Sequence, residues 1–228
     1  MKVFTERRSG VFLKKIGFNI VESFYVEDKS GIKNAVEKIG LPCVVKVFGD
    51  KVIHKKKLGG VALGVKSYEE VLEIYDKFKK IKDAEGIVVQ KEIRTTPQAY
   101  TKEARVPLRG PEKSSTKIFT KGNEFLIGVQ KTADFGHVVG FGIGGSNVEK
   151  LKKVYFRVCP FDKKEALELI NETFKNLLIE DKKILIGVLL RCCKLIKKFP
   201  KIKELDINPL VIFEGRAIVL DSRIVWEN

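Results

Sequence analysis

A short turn near the C-terminus fixes how two strands of this chain can pair. Residues 213–216 (Phe-Glu-Gly-Arg) lie between two apolar runs rich in β-branched residues, which is the usual sequence pattern of a β-hairpin. If Glu214 and Gly215 are the two loop residues, pairing proceeds outward from them and Asp221 lies directly opposite Asn208. The turn therefore predicts that an amide oxygen and a carboxylate face each other.

Asn208 and Asp221 form a candidate metal pair. Directly opposed side chains on one face of a sheet lie about 5 Å apart. Two oxygen ligands at that distance, with water and nucleotide phosphates as the others, suit Mg²⁺. Asp206 lies two residues before Asn208, so we expect it on the same face. The alternative is a surface hairpin with scattered polar side chains, and the hairpin alone does not decide between the two.

The chain is strongly basic. Its 228 residues include 44 Lys plus Arg and 29 Asp plus Glu, which gives a formal net charge of +15. Such a charge is compatible with nucleic acid or with an anionic ligand such as a nucleotide. The lysines are spread over helix-like segments, and no helix-turn-helix, zinc-finger or RNA-recognition signature is present. We therefore expect no nucleic-acid partner.

The cysteine spacing and the hydropathy pattern argue against a zinc-binding protein, a secreted protein and a membrane protein. The four cysteines lack the paired spacing of a zinc site, which indicates reduced packing residues at Cys43, Cys159, Cys192 and Cys193. The N-terminal segment has no long apolar core of the kind found in signal peptides, and the most apolar run, 184–190, is too short to cross a membrane. We expect a soluble, cytoplasmic protein with no membrane partner.

Helix and strand patterns alternate along the chain. Helical patterns, three of which open on a capping residue (Ser30, Ser67 and Asp162), occur at 30–40, 67–82, 162–174 and 181–198. Strand patterns occur at 43–47, 86–90, 124–130 and 137–141, before the hairpin at 203–221 that closes the chain. This alternation, without repeats or heptads, predicts a mixed α/β (α+β) fold.

One segment interrupts the alternation. Residues 91–116 are polar, contain three prolines and several arginines and lysines, and have almost no apolar periodicity. Loops of that length inside compact domains are usually either functional or disordered. We expect a long loop or flap there.

Three further patterns are candidate ligand contacts. His54 stands among lysines ahead of Gly59 and Gly60, where ammonium groups and backbone N–H groups freed by the glycines could hold a phosphate; the alternative is an ordinary surface segment. Lys46 lies within a hydrophobic strand, so its ammonium group has to meet an anion or reach solvent. The glycine-rich segment 140–147 does not follow the dinucleotide-binding spacing, which favours a sharp connection between strands.

Seven short motifs occur in the order found in one protein family: 43–47, 53–61, 85–90, 121–124, 141–145, 156–157 and 205–210. Over nearly its whole length the chain resembles the β subunit of archaeal ADP-forming acetyl-CoA (acyl-CoA) synthetases, which are ATP-grasp proteins related to the succinyl-CoA synthetase β subunit. The resemblance implies an ATP-grasp fold in which two α+β subdomains clamp the nucleotide. We expect subdomain 1 at about 21–90, and subdomain 2 at about 1–20 plus 117–228.

The resemblance also implies a nucleotide site. Lys46 would contact an ATP phosphate, and the loop with Gly59 and Gly60 would belong to the same site. Val89 and Gln90 would line the adenine edge as the hinge between the subdomains.

The remaining implied roles are in the second subdomain and at the histidine. Glu124 would bind the ribose, while Asn208 and Asp221 match the magnesium ligands. Asp206 matches an acidic residue that orients an incoming phosphohistidine. His54 matches a histidine that is itself transiently phosphorylated. A neutral imidazole is a competent phosphate carrier, and a nearby carboxylate fixes its tautomer.

The implied activity is that of an acid–CoA ligase, which catalyses acyl-CoA + ADP + phosphate ⇌ acid + CoA + ATP with Mg²⁺. The sequence has no recognisable CoA-binding domain, and His137 has no carboxylate motif beside it. An α subunit would then supply the CoA-binding domain and the primary phosphohistidine, in an α2β2 heterotetramer. Two alternatives stay open: another ATP-grasp carboxylate ligase, and a non-catalytic paralogous interaction subunit.

The chain departs from the family pattern at several places. Lys57 stands where the family usually has an acidic residue, and Ser146 and Asn147 replace a more apolar pair. The segment 91–116 is extra and falls between the implied hinge and Glu124. It could cap the pocket, meet a partner or obstruct ATP.

Overall fold

The computed structural model of the protein describes residues 1–52, 55–93, 124–145, 154–175 and 177–227. The α-helices among these residues are α1 (Glu6–Lys15), α2 (Ile32–Ile39), α3 (Tyr68–Phe78), α4 (Lys163–Thr173) and α5 (Ile179–Lys198). The strands among them are β1 (Lys2–Phe4), β2 (Asn19–Ile20), β3 (Ser23–Val26), β4 (Cys43–Phe48), β5 (Val61–Val65), β6 (Gly86–Lys91), β7 (Glu124–Thr132), β8 (Gly136–Ile143), β9 (Val154–Val158), β10 (Ile202–Phe213), β11 (Arg216–Val219) and β12 (Ser222–Trp226). The mixed helix and strand content predicted from the sequence is confirmed.

The chain divides into two compact units, Ile20–Ile93 and Met1–Asn19 together with Arg94–Asn228. The unit Ile20–Ile93 is built on a four-stranded antiparallel sheet in the order β3-β6-β4-β5. Helices α2 and α3 pack on one face of this sheet, and the core between them includes Val45, Val47 and Val89. The buried side chains of α2 recur at helical spacing, which explains why this segment forms an amphipathic helix.

Two of the three predicted helix caps are confirmed. The Glu70 N–H donates to Ser67 Oγ (3.1 Å) before α3, and Asp162 forms a reciprocal capping box with Glu165 before α4. The cap predicted at Ser30 is wrong, because Ser30 lies inside a 3-10 turn at Lys29–Gly31 and α2 begins after it without a side-chain cap.

Helix α3 is shorter than predicted. It ends at Phe78 instead of near residue 82. The chain then reverses through Asp83, whose φ is 62°, before β6 begins.

The larger unit contains an eight-stranded sheet. Its main path is β1-β12-β10-β7-β8-β9, and β11 pairs with β10. The prediction that the hairpin closes the chain is wrong, because β12 follows it and pairs with both β10 and β1. The pairing of β10 with the returning chain has a gap at Pro209, which has no N–H to donate. On the far side of the gap β10 pairs with β12.

An aromatic cluster lies in the core of the larger unit. The ring centroid of Phe125 is 5.8 Å from that of Phe141 and 5.1 Å from that of Phe174, which lies directly after α4. The four cysteines are free, as predicted. In the described part of the chain, no helix is both long enough and apolar enough to cross a membrane.

Candidate active site

Asn208 and Asp221 face each other as the turn predicts. The hairpin pairs Leu210 with Val219, and the same register continues from β11 into β12. The Asn208 N–H donates to the carbonyl oxygen of Asp221 (3.1 Å). The predicted register is therefore confirmed.

A bulge in β10 directs Asn208 towards the end of β8. The register of β10 against β7 shifts between Ile207 and Leu210, and bulges of this kind often re-aim a side chain beside a functional site. Asn208 Oδ1 accepts a hydrogen bond from the Gly145 N–H (2.9 Å). This bond holds the amide in place, and its oxygen retains a second lone pair for another partner.

The glycine-rich segment after β8 lies close to the start of β7. A Cβ on Gly144 would clash with the Phe125 carbonyl, and a Cβ on Gly145 would clash with the Glu124 carboxylate. The Gly144 N–H donates to the Glu124 carbonyl oxygen (2.6 Å), and Gly145 has a φ of 75°. Glycine is required at both positions, and the turn brings Glu124, Gly145 and Asn208 together.

Asp206 has a perturbed carboxyl group although its side chain is exposed. Its pKa is raised from 3.8 to about 6, mainly because the surrounding protein displaces water and secondly because the Asp221 carboxylate repels its negative charge. Arg223, which lies opposite Asp206 on β12, lowers this pKa in part, and Glu204 raises it. A carboxyl group of this kind exchanges a proton close to neutral pH.

The oxygen atoms around the hairpin fit a hard divalent cation. The candidate ligands are the amide oxygen of Asn208 and the carboxylate of Asp221, which are of the type that Mg²⁺ takes in proteins, and the Asp206 carboxylate lies near Asp221. The repulsion between the two carboxylates is what a cation would offset. The described residues contain no cluster of three or more His, Cys, Asp or Glu side chains that could hold a metal. Water or substrate phosphates would complete the coordination of such an ion.

Lys46 lies on the face of the four-stranded sheet opposite α2 and α3. Its neighbours Val45 and Val47 belong to the core beneath those helices, so alternation along β4 directs Lys46 the other way. The side chain is nevertheless buried. Gln90 shares this face, because it pairs with Val44, two residues from Lys46.

Side chains alternate along β6, so those of Val89 and Gln90 lie on opposite faces of the sheet. The side chain of Val89 is fully buried in the core under α2 and α3. Only the side chain of Gln90 lies on the face of Lys46. Any contact of Val89 with a ligand on that face has to come from its backbone.

The backbone N–H groups of Gly59 and Gly60 are used inside their own loop. The Gly59 N–H donates to Lys56 O (3.1 Å) and the Gly60 N–H to Lys55 O (2.8 Å). The prediction that these two N–H groups could hold a phosphate is therefore wrong. The glycines are needed for the shape of the loop instead. Gly59 has a φ of 65°, and a Cβ on Gly60 would clash with the Val47 side chain. The lysine ammonium groups remain the candidate phosphate contacts in this loop.

His54 lies outside the described residues, and so does most of the predicted flap, residues 94–116. One contact of the site, between the Gly145 N–H and Asn208 Oδ1, was not predicted from the sequence. The glycine pair at 144–145 was the available signal, since paired glycines after a strand indicate a close backbone approach.

Comparisons with known proteins agree with this fold. The ATP-grasp domain family matches residues 1–225. An ADP-forming acetate–CoA ligase II of Archaeoglobus fulgidus is 31% identical over 227 residues, which cover 96% of this chain but only 30% of that protein. The β subunit of ADP-forming acetate–CoA ligase I of Pyrococcus furiosus is 28% identical over 228 residues, covering 93% of this chain and 87% of that subunit.

Solved structures of acetyl-coenzyme A synthetase 1 from Ca. Korarchaeum cryptofilum are also similar. The complex with coenzyme A, Ca-AMPCP and HgCl+ has a TM-score of 0.79 and 26% identity, covering 99% of this chain and 94% of that chain. A complex with coenzyme A and Mg-AMPPCP, whose phosphohistidine segment points towards the nucleotide binding site, has a TM-score of 0.73 and 25% identity, covering 99% and 93%. The predicted resemblance and the predicted fold are confirmed, and the protein belongs to the ATP-grasp family.

Proposed function

We propose that this chain is the nucleotide-binding β subunit of an ADP-forming acyl-CoA synthetase. The observation that carries the proposal is the opposed pair of Asn208 and Asp221 with Asp206 beside it, in an ATP-grasp chain similar to ADP-forming acetate–CoA ligases. The overall reaction is acyl-CoA + ADP + phosphate ⇌ acid + CoA + ATP. This chain would transfer the phosphoryl group between a phosphohistidine and ADP.

Several described residues would bind the nucleotide. The ammonium group of Lys46 would bind a phosphate, which is supported by its buried place on β4. The Gln90 side chain and the Val89 backbone would line the adenine, and Glu124 would bind the ribose. Gly59 and Gly60 would contribute by shaping the lysine-rich loop.

Asn208 and Asp221 would hold Mg²⁺. Their oxygen ligands suit this ion, and the Korarchaeum synthetase was solved with Mg-AMPPCP. When bound, the ion offsets the negative charge of the transferring phosphoryl group. The Gly145 N–H keeps the Asn208 amide oriented for this role.

Asp206 would orient the incoming phosphohistidine. Its carboxylate would accept the free ring N–H of the imidazole, which fixes the tautomer and stabilises the positive charge of the protonated ring. In the direction of ATP synthesis the N–P bond of the phosphohistidine breaks as a P–O bond to the terminal phosphate of ADP forms. His54 would carry the phosphoryl group transiently between the partner's histidine and the nucleotide.

A separate α subunit would complete the enzyme. It would supply the CoA-binding domain and the primary phosphohistidine, in a cytoplasmic α2β2 assembly. One comparison supports this, since the Pyrococcus relative is named a subunit β.

Incubation with [γ-³²P]ATP and Mg²⁺, with and without a candidate α subunit, tests the proposal. We expect acid-labile label on His54, and none in a His54→Ala variant. His137→Gln is the matched control, because His137 Nε2 bonds to the Ile202 carbonyl oxygen (2.8 Å) and the variant should keep its label. Full turnover by His54→Ala would support another ATP-grasp ligase. Calorimetry that detects no Mg-ATP binding would support a non-catalytic subunit.

A further inference from the structure

Asp221 lies in a two-residue break between β11 and β12 and belongs to neither strand. Its carbonyl oxygen accepts the Asn208 N–H (3.1 Å), which holds the chain from the side of β10. Ser222, the first residue of β12, follows Asp221 directly. Because the direction of a side chain follows from the backbone at its own Cα, whatever fixes Ser222 also bears on where the Asp221 carboxylate points.

Ser222 is held by a buried serine of helix α1. Ser9 Oγ lies 2.7 Å from the Ser222 carbonyl oxygen and 2.8 Å from Ser222 Oγ. Ser9 is 0% exposed and Ser222 is 5% exposed. The two residues are 213 positions apart in the chain and belong to the same compact unit. We call this pair, Ser9 with Ser222, the serine clasp.

The serine clasp can form two reciprocal hydrogen bonds. A serine hydroxyl has one proton to donate and two lone pairs with which to accept. Ser9 can donate to the Ser222 carbonyl oxygen at 2.7 Å or to the Glu6 carbonyl oxygen of its own helix at 3.1 Å, and the shorter distance favours Ser222. Ser222 then donates to Ser9 Oγ. Both protons are used, and both bonds join α1 to the residue that follows Asp221.

Hydrophobic packing alone does not account for two hydroxyl groups in this place. Ile207 lies opposite Ser222 on β10, and Leu13 lies on the same helix as Ser9; both are fully buried. Apolar side chains would fill such a core without the cost of taking two hydroxyl groups out of water. A satisfied buried pair of hydrogen bonds also has a required direction, which an apolar contact does not have. The serine clasp therefore fixes the orientation of the backbone at Ser222.

The serine clasp lies on the side of the chain opposite to the Asp221 carboxylate. Neighbouring side chains in an extended segment point to opposite faces. Ser222 shares its face with Ile207, which lies directly opposite it on β10. The next residues along the two chains, Asp206 and Asp221, belong to the other face. A change in the backbone at Ser222 would therefore shift the Asp221 carboxylate relative to Asn208.

We propose that Ser9 is a positioning residue for the candidate metal pair: through Ser222 it fixes the backbone that directs the Asp221 carboxylate. This inference rests on the proposed function, in which Asp221 and Asn208 hold Mg²⁺. Ser9 lies on the other face and acts on the ion only through Ser222. Residues that orient a metal ligand in this way account for about 10–100-fold in metal affinity. Helix α1, near the N-terminus, would thus support a site whose ligands lie near the C-terminus.

Ser9→Ala and the double variant Ser9→Ala/Ser222→Ala test the serine clasp. The single variant leaves the buried Ser222 hydroxyl without its acceptor and should lower the unfolding temperature. The double variant removes both hydroxyl groups and should recover most of that loss. Calorimetry measures the Kd for ADP in EDTA and at a series of Mg²⁺ concentrations. In both variants we expect an unchanged Kd in EDTA, and an about tenfold rise in the Mg²⁺ concentration that gives half of the gain in ADP affinity.

Thr173→Val is the matched control. Thr173 has another buried hydroxyl group in the same unit, and its Oγ1 donates to the Leu169 carbonyl oxygen (3.1 Å). Loss of this bond should lower the unfolding temperature without changing the response of ADP binding to Mg²⁺. The control therefore separates the loss of a buried hydrogen bond from the loss of the serine clasp.

The outcomes separate this inference from the proposed function. An unchanged response to Mg²⁺ in both clasp variants overturns the inference and leaves the proposed function standing. The inference also fails if the double variant recovers its response to Mg²⁺ together with its stability, since the clasp would then act on folding alone. If Ser9→Ala does not fold, Ser222→Ala and the double variant replace it. If ADP binding by the unaltered protein is absent or does not respond to Mg²⁺, the proposed function and the inference both fail.

Discussion

Replacing Asp206 with asparagine should stabilise the protein at neutral pH and have no effect at low pH. The pKa of this carboxyl group is about 6 in the folded protein, against its ordinary value of 3.8, so ionisation is harder in the folded state than in the unfolded chain. The wild type therefore keeps its full stability below about pH 4 and loses part of it as the pH rises through about 6. Asparagine has the same shape but does not ionise.

The expected gain in stability follows from how far the pKa of Asp206 is raised. About two pKa units correspond to roughly 3 kcal/mol at the usual 1.36 kcal/mol per unit, but Asp206 is exposed and solvent screens its charge, so we expect a gain of about 1 kcal/mol above pH 7. Urea unfolding in metal-free buffer of low ionic strength, at several pH values from 4 to 8, measures it. Trp226 is a suitable probe, because it is the one tryptophan of the chain and lies in the same unit.

Glu204→Gln is the control for this experiment. Glu204 makes a small contribution to the pKa of Asp206 and forms an exposed ion pair with Arg223 (3.6 Å). Its removal should change stability by less than about 1 kcal/mol. The reasoning would be refuted if Asp206→Asn gave the same change in stability at pH 4 and pH 8, or if it destabilised the protein at pH 8.

Other predictions concern the fold around the site. Gly144→Ala should destabilise the protein by more than about 1 kcal/mol in urea unfolding, because its Cβ clashes with the backbone of Phe125. Gly187→Ala, in the interior of α5 with no described atom near the new Cβ, should instead stabilise it by about 0.5–1 kcal/mol. Asp162→Ala removes the capping box of α4 and should cost about 1 kcal/mol in thermal unfolding. Phe141→Ala empties part of the aromatic cluster and should cost about 3–5 kcal/mol, and a loss under 1 kcal/mol would contradict the packing described.

Features fixed by local chemistry were predictable from the sequence. The register of β10 with β11 followed from the turn residues, since a two-residue loop leaves one way to pair the flanking strands. The caps at Ser67 and Asp162 followed from the acidic residue three positions later. In each case the deciding residues are neighbours in the chain.

Other features depend on backbone geometry or on helix packing that the sequence pattern does not show. The cap expected at Ser30 failed because a 3-10 turn precedes α2, and the N–H groups of Gly59 and Gly60 are satisfied by carbonyls of their own loop. The opposite orientations of Val89 and Gln90 depend on which face of β6 the helices cover. Alternation along a strand shows that neighbouring side chains lie on opposite faces of the sheet, but it does not show which face meets the core.

The two proposed tasks of β10 belong to residues two positions apart. Asp206 stays in register with Gly128 on β7, whereas Asn208 lies where that register shifts and accepts the Gly145 N–H. On the other side of β10 the register with the returning chain continues, and the Asp221 carboxylate raises the pKa of Asp206, so the candidate metal pair and the carboxylate proposed for the histidine are electrostatically coupled. A shift of one residue would bury Asp206 and expose Leu205 or Ile207 in its place. The turn that sets the register of this hairpin thus also places the Asp206 carboxylate beside the candidate metal pair.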